Sequence, residues 1–256
     1  MSAIATSSAF GMALVPPNDV YLGQAFIRTG GYGWIEYEAW KPFLKPDSVV
    51  LDIGANFGSH TFHFATTCDE GRVYAFEPQK QLFYMLCGSI ALQNRNNIVP
   101  LNMAVGNSSC MIEVPQFDYR APNNFGGVGL QDGHKGEAIM CTKIDFMQLT
   151  KVDFMKIDVE GMELDVLRGA ETTIKKCLPV ISVEADRPEK TAEVREFLES
   201  LGYDVYWHYP PLGEVWPGVG SCNFLAVPHG TDMPALPFVG LEKPTVIEAQ
   251  EVSISI

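Results

Sequence analysis

Short apolar runs alternate with helical patterns along most of the chain. Val49–Ile53 and Arg72–Phe76 are runs of strand length, and the second is followed by Pro78 and by apolar residues at helical spacing from Leu82 to Ile90. Proline is tolerated in the first turn of a helix because the N–H that it lacks would have no partner there. Strands that alternate with helices are typical of a parallel sheet covered by helices, so the pattern predicts an α/β fold.

The same alternation continues towards residue 228. Further strands are predicted over 97–102, 154–159 and 179–185, and further helices over 162–174 and 194–201. Gly202 follows the last of these helices, at a position where glycine commonly ends a helix. Residues 203–207 and 223–227 are predicted to be antiparallel strands that complete the sheet.

The alternation of strands and helices defines a main domain over residues 48–228. Three regions flank or interrupt it. Residues 1–47 are rich in aromatic residues and glycine, include a predicted helix over 36–43, and are expected to form a lead-in segment or lid. Residues 110–141 are predicted to be an inserted hairpin and loop. Residues 229–256 are expected to form a tail with little periodicity.

Composition places the chain of 256 residues among globular proteins, because 46% of its residues are hydrophobic and 19% are charged. The formal net charge of −13 disfavours nucleic acid and anionic membrane surfaces as partners. The sequence shows no basic signal sequence, no apolar run of about 18 residues and no CxxC pair among its six cysteines. We therefore expect a cytoplasmic protein with reduced thiols, for which assembly into a homo-oligomer stays open.

The first candidate ligand-binding feature is the loop after the first predicted strand, in the sequence LDIGANFG (51–58). Gly54 and Gly58 let the backbone turn tightly and approach a ligand closely. A dinucleotide fingerprint would need a further glycine where Ser59 stands, and the Asp52 carboxylate would repel a pyrophosphate. A carboxylate beside such a loop suits a ligand that carries an ammonium and a sulfonium group. S-adenosylmethionine is such a ligand.

Glu77 lies at the end of the second predicted strand, 19 residues after Gly58. This offset is close to the roughly 20 residues at which nucleotide-binding folds place an acid on the ribose hydroxyls. The sequence therefore predicts that Glu77 binds a ribose. The alternative is a solvated glutamate beside the turn at Pro78.

Carboxylates also end two later strands. Asp158 interrupts an apolar run, Glu160 precedes Gly161, and Glu184 ends the next strand. An unpaired buried carboxylate is costly, so we expect these acids to face the crevice at the carboxyl ends of the parallel strands. There they would accept a proton from a substrate hydroxyl or hold a polar substrate. The alternative for Glu160 is a cap on the following helix.

Histidines are further candidates for proton transfer. His208 follows a strand on the Glu184 side of the sheet and is the preferred general-base candidate, because the ordinary pKa of histidine is about 6.5. His60 and His63 are expected to be packed or surface residues. No spacing typical of metal ligands connects the histidines with the acids, so no metal is expected.

Several motifs occur in a fixed order: DIGANFG, FEP, LNMAVGN, NNFGG, KIDVEGMELDVLRGA and SVEAD. Together they resemble the FkbM-type S-adenosylmethionine-dependent methyltransferases over residues 17–227. The resemblance implies a three-layer, Rossmann-like class I methyltransferase fold, whose mostly parallel seven-stranded sheet contains one antiparallel strand. It also implies S-adenosyl-L-methionine as cofactor and methyl transfer, usually to an oxygen of a sugar or a secondary metabolite.

The resemblance also implies roles for individual residues. The residues expected to hold the cofactor are Asp52, Gly54, Asn56 and Gly58 at its methionine end, Glu77 at the ribose, and Asn102, Ala104 and Val105 around the adenine. The residues expected at the reaction end are Asp158, Glu160 and Glu184, to which the position of His208 adds a possible base. The residues of the insertion expected to contact the acceptor are Asn123, Asn124 and Phe125. The segment 208–221 matches no pattern of the family, and we expect, apart from the resemblance, that it lines the acceptor pocket.

Two other functions stay open beside O-methylation of a small hydroxylated acceptor. One is N-methylation of a small amine, which the same acids would attract. The other is a nucleotide-binding module of the same fold that performs no transfer. A dehydrogenase is disfavoured by the charge of Asp52 and by the missing third glycine.

Overall fold

The fold is built on one large β-sheet and two smaller ones. The computed structural model describes residues 1–127, 129, 136–210 and 222–241. The strands are β1 (Ile4–Ser8), β2 (Gly11–Val15), β3 (Val49–Ile53), β4 (Arg72–Phe76), β5 (Ile98–Leu101), β6 (Ala104–Val105), β7 (Cys110–Pro115), β8 (Gly136–Thr142), β9 (Phe154–Ile157), β10 (Val180–Glu184), β11 (Tyr203–His208), β12 (Asn223–Pro228) and β13 (Val239–Gly240).

In the described part of the chain, α-helices lie in five of the connections between these strands. The α-helices are α1 (Leu22–Thr29), α2 (Trp34–Trp40), α3 (Thr61–Thr67), α4 (Lys80–Gln93), α5 (Glu163–Gly169), α6 (Glu171–Cys177) and α7 (Pro188–Ser200). Single turns of 3-10 helix occur at Lys41–Phe43 and Ile144–Met147. Among the described residues, no helix has both the length and the apolar character that crossing a bilayer requires.

The main sheet has the strand order β13-β11-β12-β10-β9-β3-β4-β5. Strands β10, β9, β3, β4 and β5 pair in parallel, whereas β12 pairs antiparallel with both β10 and β11. The predicted α/β fold is confirmed, because seven of these strands form a mostly parallel sheet in which β12 alone is reversed. The short strand β13 adds an eighth, reversed strand at the β11 edge. Two residues are too few for a hydrophobic alternation to predict it.

Helices cover both faces of this sheet, which gives three layers. On β3, Val50 packs into one buried cluster with Phe64 and Leu86 of α3 and α4. The next residue, Leu51, packs into a second cluster with Val166 and Leu198 of α5 and α7. Successive side chains on a strand point to opposite faces, so a strand buried on both sides reads as the continuous apolar run seen in the sequence.

The N-terminal segment packs into the main core. It contains the hairpin β1-β2, which the hydrophobic pattern does not predict because Ile4–Ser8 is rich in small polar residues and partly exposed. Phe26 of α1 meets Phe57 edge to face, with the ring centroids 5.4 Å apart. Trp40 of α2 stacks on Phe64 of α3 at 5.6 Å. Helices α1 and α2 therefore lie against the loop and helix that follow β3.

The insertion between β5 and β9 forms a small separate sheet of order β6-β8-β7, in which β7 and β8 are an antiparallel hairpin. The chain between them returns to the N-terminal segment. The backbone N–H of Asn123 donates to the carbonyl of Asn18 (3.0 Å), and the N–H of Val20 donates to the carbonyl of Asn123 (2.9 Å).

Asp19 fixes this contact between the two segments. Its buried carboxylate accepts hydrogen bonds from the backbone N–H groups of Tyr21 (2.9 Å), Gly23 (3.1 Å) and Phe125 (3.1 Å). Burial raises the pKa of Asp19, although the backbone hydrogen bonds act in the opposite direction. One side chain thus joins the start of α1 to the inserted loop.

Replacement of Asp19 by alanine would leave these buried N–H donors without their acceptor. A hydrogen bond to a charged group contributes about 1.5–3 kcal/mol, so we expect D19A to lower the free energy of unfolding by at least this amount. Urea unfolding followed by circular dichroism measures the loss. The matched control is D69A at an exposed aspartate. Equal stability of D19A and D69A would contradict the assigned role.

Candidate active site

A cavity of about 520 Å³ opens at the carboxyl ends of β3, β4, β9 and β10. The strand register brings these ends together, since Ile53 pairs with both Phe76 and Ile157. One part of the wall, the loop end, consists of Gly54, Asn56, Phe76, Glu77, Met103, Ala104 and Val105. Another part, the α2 end, consists of Tyr21, Tyr32, Glu36, Trp40, His60 and Asn223. The acid cluster, formed by Asp158, Glu160 and Glu184, also lines the cavity.

The glycine loop turns sharply after β3. The N–H groups of Gly54 and Ala55 both donate to the carbonyl of Phe76, at 3.0 and 2.9 Å. Gly54 has a φ of +83°, and a Cβ there would lie 1.8 Å from the backbone oxygen of Asp158. Only glycine fits this approach of the loop to the end of β9. Asn56 also has a positive φ, of 54°, and faces the cavity.

Glu77 is buried but reaches the cavity wall. Its Oε2 accepts from the N–H of Asn56 (2.8 Å) and its Oε1 from the N–H of Gln79 (2.7 Å). Burial raises the pKa of Glu77 to about 7, against the effect of these two hydrogen bonds. Each carboxylate oxygen has a second lone pair, so both can still accept a hydrogen bond from a ligand hydroxyl.

The rest of the loop end is an apolar slot. Phe76, Met103, Ala104 and Val105 line it, with Met162 beside them. Asn102 is not on this wall, because its side-chain amide donates to the backbone oxygens of Glu77 (2.8 Å) and Pro78 (3.2 Å). The structure thus places Ala104 and Val105 where a flat apolar group would pack, and Asn102 behind them as a support for the turn.

Asp52 also lies behind the wall rather than on it, which corrects the expectation that it meets the ligand directly. It is fully buried, and its Oδ2 accepts from the Thr61 hydroxyl at 2.6 Å. Its Oδ1 lies 3.6 Å from the Nζ of Lys156. The carboxylate therefore supports the loop from below, where β3 and β9 are adjacent.

Lys156 is a site residue that the sequence reasoning missed. Its ammonium lies 3.1 Å from Asp158 and donates to the carbonyl of Gly54 at 2.9 Å. Burial acts to lower its pKa, but the charges of Asp158 and Asp52 outweigh burial and raise it. A lysine within a strand that is otherwise apolar, two residues before an acid, is the signal that could have identified it.

The acid cluster is organised by Arg187. Its Nη2 donates to Glu160 (2.6 Å), and its Nη1 lies 3.6 Å from Glu184. Glu160 has a φ of 56°, an uncommon backbone conformation for this residue type that often marks a functional site. Burial, followed by the charge of Asp158, raises the pKa values of both Glu160 and Glu184. Both carboxyls therefore hold protons more tightly than ordinary glutamates.

Asp158, Glu160 and Glu184 could each offer one carboxylate oxygen to a cation, because these oxygens lie within 4.8 Å of one another. The guanidinium of Arg187 already neutralises the cluster from one side. Carboxylates beside an arginine form an ion-pair network in their own right, and the arrangement therefore does not by itself indicate a metal.

At the α2 end, Glu36 projects from α2 onto His60. Its Oε2 lies 3.2 Å from the Nε2 of His60, and its Oε1 accepts from the side-chain amide of Asn223 at 3.3 Å. The sequence reasoning did not single out Glu36 and expected only packing or surface exposure for His60. An acid on the buried face of the aromatic helix WIEYEAW was the signal available.

His208 is not a cavity residue, which corrects its assignment as general base. Its side chain is fully buried, and neither ring nitrogen hydrogen-bonds to a described residue. Burial lowers its pKa to about 4. His208 lies on β11 but is covered by Trp40, whose ring centroid is 6.4 Å away. A sealed imidazole cannot exchange a proton with a substrate.

Of the predicted acceptor contacts, Asn124 lines the cavity but Asn123 and Phe125 do not. Phe125 is fully buried and stacks on Tyr119 at 4.2 Å, and Asn123 uses its backbone to pair with the N-terminal segment. Gly58 likewise faces inward, because a Cβ there would lie 2.6 Å from Phe62. Residues 211–221 of the predicted acceptor segment 208–221 lie outside the described residues.

Comparison with known proteins gives a consistent picture. The family model described as "Methyltransferase FkbM domain" matches residues 52–205. Methyltransferase 1 of Beauveria bassiana (strain ARSEF 2860) is 25% identical over 182 residues, which cover 62% of this chain and 73% of that protein.

Two solved structures share the fold at low identity. The methyltransferase FkbM of Methylobacillus flagellatus KT is 18% identical, with a TM-score of 0.53 over 71% of this chain. Trm5b of Pyrococcus abyssi is 12% identical, with a TM-score of 0.50 over 88% of this chain. The chain spans 44% of the first structure and 55% of the second.

The pKa of Glu77 predicts a pH dependence of stability in the ligand-free protein. The folded state holds this proton up to about pH 7, whereas an unfolded glutamate releases it near pH 4.3. Between these values the unfolded state binds fewer protons, so the stabilisation present at low pH is lost as the pH rises. The expected loss for the wild type between pH 5 and 7 is about 2 kcal/mol, and E77Q, which cannot ionise at this position, should not show it.

Urea unfolding gives the free energy of unfolding of E77Q and of the wild type at each pH in this range. The slopes of this free energy against pH are then compared. A constant offset is expected from the altered hydrogen bonds of the amide and does not affect the comparison. E113Q, at an exposed glutamate, is the control and should follow the wild type. Parallel profiles for E77Q and the wild type would contradict the raised pKa.

Proposed function

The chain belongs to the methyltransferase FkbM domain family and is an S-adenosylmethionine-dependent methyltransferase. We propose that it methylates a hydroxyl oxygen of a small polar acceptor. The proposal assigns the loop end of the cavity to the methyl donor and the α2 end, with the acid cluster, to the acceptor. Both lie on one continuous cavity of about 520 Å³, within the range of small-molecule sites.

The loop end fits the donor. The Glu77 carboxylate is available to two ribose hydroxyls, and the slot formed by Phe76, Ala104 and Val105 accepts a flat adenine. The buried cation here, Lys156, is already held by Asp52, Asp158 and the Gly54 carbonyl. No described feature of this end offers a pyrophosphate a cationic partner. When bound, S-adenosylmethionine supplies a methyl group activated by a positively charged sulfur.

The observation that carries the proposal is the chemistry of the remaining wall. Tyr32 and Trp40 offer aromatic faces, and Glu184, Asn124 and Asn223 offer hydrogen-bonding groups. Aromatic faces combined with side-chain oxygens suit a compact molecule that carries several hydroxyls, such as a sugar or a related metabolite. The raised pKa values of Glu160 and Glu184 also reduce the fixed negative charge that an ammonium acceptor would need.

In this assignment the protein contributes mainly alignment. The acid cluster and Asn124 would position the acceptor oxygen, and the loop end would position the methyl group. Holding two reactants in an attack geometry can supply a large part of the barrier reduction for a transfer between them. The net charge of −13 supports a small acceptor over a nucleic acid.

A screen with radiolabelled S-adenosylmethionine tests the proposal. Panels of sugars, other polyhydroxylated metabolites and matched amines are incubated with the full chain, and transfer of label is measured. Label on a hydroxyl compound supports O-methylation. Label on amines alone, or cofactor binding without transfer to any panel, would refute it.

The acid cluster makes a prediction for the acceptor found. Asp158→Asn is expected to lower turnover by at least about tenfold, because it alters both the acceptor end and the partner of Lys156. Cofactor affinity should stay within a few-fold of the wild type. E189Q, at an exposed glutamate of α7, is the control. Unchanged turnover in D158N would remove Asp158 from the reaction end.

The ribose assignment makes a separate prediction. Glu77→Ala removes both carboxylate oxygens, so we expect S-adenosylmethionine to bind more weakly by about 1.5–3 kcal/mol, the range for hydrogen bonds to a charged group. Isothermal titration calorimetry measures the loss, and circular dichroism checks that the variant is folded. E113A should bind like the wild type. A folded E77A with unchanged affinity would exclude contact with the ribose.

A further inference from the structure

The Glu36–His60 pair is the buried polar feature of the cavity that the assignments above leave without a role. Both residues line the cavity, and both are buried. The Nε2 of His60 lies 3.2 Å from the Oε2 of Glu36, whose other oxygen accepts from Asn223. Two helices, α2 and α3, meet at this contact.

The charge state of Glu36 determines which imidazole nitrogen carries the proton. Burial acts to raise the Glu36 pKa, but the hydrogen bond from His60 and the charges of His60, His208 and Lys156 together lower it to about 2. Glu36 is therefore a carboxylate at neutral pH, and a carboxylate can only accept hydrogen bonds. The Nε2 of His60 must donate to it, so in the neutral imidazole the lone pair is on Nδ1.

This lone pair is available within the cavity. Among the described residues, no group hydrogen-bonds to the Nδ1 of His60, and the atom is not sealed from solvent as the ring nitrogens of His208 are. By contrast, the Nε2 of His63 bonds to the backbone oxygen of Tyr32 at 2.8 Å. Of these three imidazoles, His60 is the one that presents an unpaired nitrogen to the cavity.

The ring of His60 is held in this orientation. It meets Trp40 at 5.1 Å and Tyr32 at 5.9 Å, both edge to face. Gly33 has a φ of +71°, and a Cβ there would lie 2.1 Å from the Nε2 of His60. The glycine therefore leaves the space in which the ring reaches Glu36. The titratable groups around the Glu36–His60 pair are Tyr32 and His63, whose rings are near His60, and Lys156 and His208, whose charges act on Glu36.

We propose that the Nδ1 of His60 is the general base for the acceptor hydroxyl, and that Glu36 is the positioning residue that holds the imidazole in this tautomer. The proposal rests on the proposed O-methylation. It also implies that the reacting hydroxyl binds at the α2 end, against Trp40 and Tyr32. An acceptor with a flat apolar face beside its hydroxyl, such as a phenol or the apolar face of a sugar ring, suits these side chains.

The proton and electrons balance in this step. The hydroxyl proton moves to the Nδ1 of His60 as the oxygen forms a bond to the methyl carbon. The carbon–sulfur bond breaks, its electron pair stays on sulfur, and S-adenosylhomocysteine leaves as a neutral thioether. The imidazolium, which is stabilised by the Glu36 carboxylate, then returns its proton to solvent.

Other groups are less suited to this step. His208 is sealed, and Glu160 and Glu184 are held by the guanidinium of Arg187. Asp158 is paired with Lys156 at 3.1 Å. The acid cluster can orient hydroxyls, but His60 combines an unpaired nitrogen, a carboxylate partner and a position on the cavity wall.

The first test needs no known acceptor. Long-range 1H–15N correlation on the full chain reports the tautomer of each histidine ring. We expect His60 with its proton on Nε2, and a loss of this preference in E36Q. A proton on the Nδ1 of neutral His60 in the wild type would overturn the proposal.

The second test uses 4-nitrophenol, whose ionised form absorbs visible light, with S-adenosylhomocysteine bound. We expect a larger ionised fraction of the probe with the wild type than with H60Q at pH 7, and partial recovery of that fraction in E36D but not in E36Q. The control is H229Q, which breaks a matched but exposed His–Asp pair, His229–Asp204 at 2.9 Å. Equal ionised fractions with the wild type and H60Q would overturn the proposal.

The third test uses the acceptor found by the screen. General-base catalysis contributes about 10²–10⁴-fold, so H60Q should lower kcat by at least about 100-fold and remove the acidic limb of its pH profile. E36Q should lower kcat with little change in KM, and E36D should restore part of it. Cofactor affinity should be unchanged in all three, and a large loss would instead place the pair at the donor and overturn the proposal.

These results separate the proposal from the proposed function. If the screen yields only amine acceptors, O-methylation fails, and the tautomer and 4-nitrophenol tests still decide whether His60 accepts a phenolic proton. If a hydroxyl acceptor is found and H60Q keeps its kcat and pH profile, O-methylation stands and the base is not His60.

Discussion

The ammonium of Lys156 is the buried charge on which the geometry of the cavity depends. It lies between the carboxylates of Asp52 and Asp158 and donates to the carbonyl of Gly54. A buried charge is tolerated only when partners compensate it, and the loss of one partner costs several kcal/mol. The positions of the glycine loop on β3 and of the acid at the end of β9 are therefore coupled through one side chain. The two strands are neighbours, so the sheet register supplies the remaining constraint.

The cavity wall is formed by residues inside the range matched by the family model and by residues that precede this range. The family model covers residues 52–205, which include the glycine loop, Glu77 and the acid cluster. Tyr21, Tyr32, Glu36 and Trp40 lie before this range, on the N-terminal segment that Asp19 ties to the inserted loop. Family membership thus accounts for the donor and for methyl transfer. The chemistry of the acceptor must be argued from the side chains that α1 and α2 add.

The structure places some of the candidate residues on the cavity wall and others behind it or in the core. Gly54, Glu77, Asp158 and Glu184 reach the cavity because the carboxyl ends of neighbouring parallel strands necessarily meet at one edge of the sheet. Asp52, Asn102 and His208 stand beside the same edge in sequence, but their side chains point behind the wall or into the core. A shift of one residue along a strand moves a side chain to the opposite face of the sheet. The pattern of apolar residues does not show which of these side chains reaches the cavity and which is buried in the core.

By itself, the sequence determined the α/β architecture, the order of its main elements and the edge of the sheet at which the cavity opens, because hydrophobic periodicity and glycine placement act locally along the chain. Tertiary structure alone decided that β1 and β2 form a hairpin, that Lys156 lies between two acids and that Glu36 meets His60. Two of these contacts join residues that are distant in sequence, since Glu36 and His60 are 24 positions apart and Asp52 and Lys156 are 104 apart. Their existence depends on which helix face turns inward and on which strands become neighbours, and neither is encoded in a local pattern.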